Sequence, residues 1–191
     1  MKRSIHYGKV FFLFAVVVVL VTGCNLIDDA ASIDIEANDV RFNFEAVTGE
    51  GGARSVVARA AGDTGNTFSV TRTVKLEEIS ADVANNAERI SKVIVNSSGL
   101  VITTSPSLSY KVSNLKLSAK GVSGSLSVPS YTVGGAFTAP SNMATYTATL
   151  VMKLVDNGSV EVTISGETDA PAGTTIYIKY ENDLVFTAKL L

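Results

Sequence analysis

The chain contains one cysteine, one histidine and no tryptophan in 191 residues. The histidine is His6, at the start of the chain, so nothing beyond it carries an imidazole. Ser-His-Asp and Cys-His catalysis are thereby excluded from the body of the protein, as is any metal site that needs a histidine ligand. A lone cysteine cannot form an intrachain disulfide or a cysteine-clustered metal site. Sixteen Lys and Arg stand against eighteen Asp and Glu, with no basic block, so the electrostatic footprint of a nucleic-acid binder is missing and no nucleic-acid partner is expected. Gly49 and Gly51 are followed by Arg54 and do not complete the G-x-G-x-x-G spacing of a dinucleotide loop. Any enzyme built on this chain would rely on carboxylates, Tyr or Lys. It would need two acids converging in a pocket, at least one with a raised pKa. The reading is non-catalytic, with no cofactor.

What is present starts with charge and apolar length at the N-terminus. Lys2, Arg3 and Lys9 form a basic start, followed by the unbroken apolar run VFFLFAVVVVLV, Val10 to Val21. As a helix it would span about 18 Å, short of the roughly 30 Å hydrocarbon core of a bilayer. A basic start, a short apolar run and small residues after it describe a secretory signal peptide.

The sequence Val21-Thr22-Gly23-Cys24 resembles the lipobox of bacterial lipoproteins. The resemblance covers only the N-terminus. It implies diacylglyceryl transfer to the Cys24 thiol, cleavage between Gly23 and Cys24, and acylation of the new amine. Residues 1–23 would be removed, and residues 24–32 would be the lipidated cysteine and a tether. A single acyl chain binds a bilayer only marginally, whereas two or more anchor stably. The membrane partner is then held through Cys24, and the expected location is the bacterial cell envelope, at the outer membrane. Asn25 to Ser32 reaches at most about 29 Å when extended, which would keep the domain near its membrane. Asp28 and Asp29 read as solvated tether acids.

From Ile33 onward period-two alternation dominates. Val40, Phe42, Phe44 and Ala46 share one strand face. Thr48 to Asn66 is Gly- and Ala-rich and reads as a long loop with a short strand near Ser55 to Arg59. Phe68 to Lys75 is a strand. Leu76, Ile79 and Val83 then change the period to that of a short helix, stopped by Asn85 and Asn86. The Arg89–Thr104 stretch RISKVIVNSSGLVITT is a long strand with a bulge or bend expected at Gly99. Val112 to Ala119 alternates again, and Pro129 and Pro140 exclude central-strand positions.

TYTATLVMKLV, Thr145 to Val155, fits either period. Tyr146, Ala148, Leu150, Met152 and Leu154 form a strand face, while Leu150 with Leu154, or Val151 with Val155, fits a helix. Its Thr and Val content favours the strand. Asn157-Gly158 between apolar runs reads as a type I′ hairpin turn, with the next strand over Val160 to Glu167. TTIYIKY and LVFTAKLL form a second hairpin around Glu181-Asn182-Asp183. The sum is an all-β, antiparallel sandwich (Ig-like or jelly-roll-like) over residues 33–191, with about eight or nine strands and one short helix. The later strands loosely resemble small envelope lipoproteins of unassigned function built on β-sandwiches.

Candidate sites are few. Tyr131 and Phe137 lie in a loop-rich region and are the aromatics expected to be exposed for a ligand. Oxygen-only calcium sites could draw on Asp156 with Asn157, Glu167 with Asp169, or Glu181 with Asp183, although turn chemistry already accounts for these residues; no metal is expected. The functional expectation is a membrane-anchored binding or adhesion module with a protein or glycan partner. The alternative is a structural, fimbrial-type assembly subunit, for which Arg54 and Arg59 would offer processing sites.

Overall fold

The computed structural model describes residues 32–49 and 66–190. The signal segment, Cys24, most of the tether, Arg54, Arg59 and the short strand expected near Ser55 lie outside the described residues.

Among the described residues, eight strands and one long helix make up the fold. The strands are β1 (Ser32–Val47), β2 (Asn66–Lys75), β3 (Ile90–Ser105), β4 (Lys111–Ala119), β5 (Leu126–Val128), β6 (Tyr131–Thr132), β7 (Ser159–Thr168) and β8 (Thr175–Lys189). A short helix α1 (Ala81–Asn85) lies between β2 and β3, and the long helix α2 (Met143–Asn157) precedes β7. One sheet has the order β1-β8-β3; the other has the order β2-β7-β4-β5, with β6 also on β4. The strand pairings are antiparallel throughout. The expected antiparallel, sandwich-like and mostly β architecture is therefore present.

Alternation decides which faces meet. On β8, Ile176, Ile178, Tyr180, Leu184 and Phe186 are buried. They pack with Phe42 and Phe44 of β1, Leu100 and Ile102 of β3, and Phe68, Leu117, Val162 and Ile164 of the other sheet in one core. The outer edge of β1 is tied to the second sheet: Arg72 Nη1 donates to the Asn43 carbonyl at 2.8 Å, and the Gly49 N–H donates to the Thr67 carbonyl at 3.1 Å. Arg72 also pairs with Glu78. An edge strand left open invites foreign pairing, and these bonds occupy part of this one.

Four expectations about the elements are corrected. Residues 143–157 form a helix, not a strand. Met143, Tyr146, Thr147, Leu150, Val151, Leu154 and Val155 are buried, at the three- and four-residue spacing of one helix face. The helix packs against β3 and β7, where its buried stripe outweighs the strand propensity of Thr and Val. Gly158 is accordingly a helix stop and not a hairpin turn. Its φ is 72° and its N–H donates to the Leu154 carbonyl at 2.8 Å, a left-handed C-cap. Finally, β8 runs straight through Glu181-Asn182-Asp183 without a turn, paired on both sides.

Gly99 is also not the bulge: it pairs in register with Glu181, and the register shifts between Val95 and Ser97. The expected short helix is real but broken. Leu76–Glu78 forms a tight 3-10 turn, and the Ser80 hydroxyl then accepts the Asp82 N–H at 3.1 Å, restarting the chain as α1. Leu76, Ile79 and Val83 are all buried.

Candidate functional site

The outward face of the β1-β8-β3 sheet carries the candidate site. Because β8 buries its even-numbered residues, Tyr177 and Lys179 point outward. The register sets Tyr177 between Glu45 on β1 and Thr103 on β3, and Lys179 between Asn43 and Val101. Directly opposed residues in such a sheet have Cβ atoms about 5 Å apart. These residues, with Phe44 and Ile178 beneath, line a depression of ≈ 380 Å³. Tyr177, on the central strand, is 43% exposed, and Val101, on the edge strand β3, is 39% exposed. In the next row Gly99 lies opposite Glu181, and a Cβ built on it would meet nothing within 4 Å. The floor beside Val101 is therefore open.

The charged groups beside the depression are engaged in internal contacts, while Ile94 of β3 is a further exposed apolar group on this face. Glu181 pairs with Arg41 at 3.4 Å and Lys179 at 3.8 Å. Asp183 accepts the Ser97 hydroxyl at 2.6 Å and the Asp39 N–H at 2.9 Å. Those two bonds, the hydroxyl first, hold its carboxyl below the usual Asp value. Thr187 donates to Asp34 at 2.9 Å.

A second polar group lies inside. Ser98 Oγ meets Asn182 Oδ1 at 2.7 Å, Thr147 Oγ1 at 3.1 Å and Tyr180 Oη at 3.3 Å, and Thr147 bonds Tyr180 directly. This cluster joins α2 to β3 and β8. Burial pushes the Tyr180 hydroxyl pKa up, and the Ser98 and Thr147 bonds oppose the shift. The Tyr146 hydroxyl is buried without a well-formed hydrogen bond. Burial first, then the neighbouring Tyr180, pushes its pKa up to about 12, and the polar backbone of Ala119 opposes the shift in part.

The residues singled out from sequence fall elsewhere. Tyr131 is buried, 8% exposed; its hydroxyl donates to the Gly135 carbonyl at 3.0 Å, and the half-buried Phe137 packs edge-on against it at 6.2 Å. Both are used in packing, so the expected exposed pair is corrected to a contact with the core. The calcium pairs are dispersed or engaged. Asp156 and Asn157 close the last turn of α2. Glu167 accepts from Asn114 at 3.1 Å, Asp169 accepts the Lys111 N–H at 2.7 Å, and Glu181 and Asp183 are held as above. Among the described residues no three potential metal ligands cluster. Sequence reasoning does not single out Tyr177. Its outward position follows from the alternation of TTIYIKY, but its neighbours depend on register between distant strands.

No protein family, characterised protein or solved structure matches the chain.

Proposed function

We propose that the protein is an envelope lipoprotein, anchored through Cys24, whose Ig-like or jelly-roll-like sandwich serves as a non-catalytic binding or adhesion module. The observation that supports this reading is the depression around Tyr177. An aromatic side chain stands exposed, between a carboxylate and a hydroxyl, on a central strand that is hydrogen-bonded on both sides. Such a surface is rigid before a ligand arrives, so little ordering cost opposes binding. Of the acids on this face only Glu45 lines the depression, and no second carboxylate converges on it there, which favours recognition over acid–base chemistry.

The test uses the detergent-solubilised full chain, immobilised, with envelope and extracellular polymer separated into polysaccharide and protein fractions. Retention from either fraction that falls on Tyr177→Ala supports the module. Retention that ignores Tyr177→Ala, or none from either fraction, overturns it.

A further inference from the structure

We infer that the depression around Tyr177 takes a neutral saccharide, with one pyranose ring resting on Tyr177 and Val101; this rests on the binding-module reading above. A sugar ring has an apolar C–H face and a rim of hydroxyls that both donate and accept. It therefore needs an apolar platform with donors and acceptors around it. Within the depression Tyr177 and Val101 are the exposed apolar groups. Around them Glu45 accepts and Asn43 and Thr103 do both, while Lys179, half-exposed and 3.8 Å from Glu181, beyond hydrogen-bond length, keeps N–H donors for a ligand.

Charge narrows the ligand class. One carboxylate, Glu45, and one ammonium, Lys179, line the depression. A phosphate or uronate would face Glu45, and a cationic ligand would face Lys179, whereas a neutral polyol uses both. Among the described residues, the side chains of Asn43, Glu45 and Thr103 make no hydrogen bond with one another, in contrast to the paired groups around Asp183 and Glu181. A peptide strand is a poor occupant here. The β8 backbone under Tyr177 is paired on both sides, so a chain lying in the depression meets side chains over a filled ladder; strand addition would need the outer edges of β1 or β3, away from Tyr177. The volume of ≈ 380 Å³ falls in the range of small-ligand sites, and the open floor at Gly99 gives a second ring room to follow the first.

The experiment is an array of immobilised neutral and acidic oligosaccharides, probed with the detergent-solubilised full chain and its variants. Binding to neutral oligosaccharides should fall about tenfold on Tyr177→Ala and stay within about threefold on Tyr177→Phe, because the ring face and not the hydroxyl makes the stacking contact. Thr103→Val, which keeps the shape and removes a hydroxyl, should weaken binding severalfold. Unchanged unfolding midpoints show that the variants fold. Binding restricted to acidic oligosaccharides, or insensitive to Tyr177→Ala, overturns the inference. No saccharide binding alongside Tyr177-dependent retention of the protein fraction overturns the ligand class and leaves the binding module standing. Loss of both overturns both.

Discussion

The Asp183 carboxylate accepts the backbone N–H of Asp39 at 2.9 Å, and Asp39 is the residue that takes a positive φ of 56° where β1 slips register between Ala37 and Val40. The other oxygen of Asp183 holds Ser97, where β3 slips between Val95 and Ser97. One side chain on the central strand thus binds the irregularities of both neighbours.

This arrangement gives a pH-dependent contribution with a definite sign. The folded-state pKa of Asp183 lies below the ordinary value of 3.8, so its stabilisation is present above that value and is lost as pH falls through the lowered pKa. Asp183→Asn should lower the unfolding midpoint modestly at pH 7, and the gap from wild type should close in strong acid. Thermal unfolding followed from pH 7 to pH 2 checks it. A gap that persists at pH 2 would mean that the carboxylate charge is not what holds the bulges.

Two buried tyrosines should respond in opposite directions to loss of the hydroxyl. Tyr146 is 6% exposed and its hydroxyl lacks a well-formed hydrogen bond, with only the Ala119 backbone near it; Tyr146→Phe is expected to stabilise the fold by up to about 1 kcal/mol, since a poorly satisfied buried group is removed. Tyr180→Phe breaks bonds to Thr147 and Ser98 and should cost about 1–2 kcal/mol. Urea unfolding at neutral pH measures both.

The same pair predicts alkaline sensitivity. A tyrosine whose folded pKa rises from 10.0 to about 12 contributes stability that is complete below pH 10 and disappears as pH rises toward 12. Tyr146→Phe should therefore shift alkaline unfolding to higher pH, as a pH titration of circular dichroism would show. An unchanged alkaline transition would exclude Tyr146 as its source.

Gly166 and Phe68 test close packing between β7 and β2. A Cβ on Gly166 would lie 2.8 Å from Phe68 Cζ. Gly166→Ala should cost about 1–3 kcal/mol through overpacking, and Phe68→Leu in the same chain should recover part of the loss. A double-mutant cycle reads the coupling; additive losses would refute it.

The anchor has its own test. Cys24→Ala should abolish lipid labelling and move the protein from the membrane to the soluble fraction. Retention of the label would show that another residue carries the lipid.

Strand content was legible because burial on one face imposes a period of two, and Val40 to Ala46, Phe68 to Lys75 and Leu115 to Ala119 display it locally. The candidate site was only half legible. Alternation turns Tyr177 outward, but Glu45 and Thr103 lie far away in sequence and reach it through register alone.

The sequence by itself determined the alternating strands, the absence of histidine chemistry beyond His6, and a glycine where the backbone turns left-handed at 158. Only the tertiary structure decided how that glycine is used, because a helix stop and a hairpin turn make the same local demand for positive φ. It also decided that residues 143–157 are helical, since the space beside β3 and β7 rewards a helical stripe over the strand preference of Thr and Val. Asn182 follows the same logic. By its side chain it belongs in a turn, yet it lies buried at the centre of β8 because Ser98, brought across from β3, satisfies it.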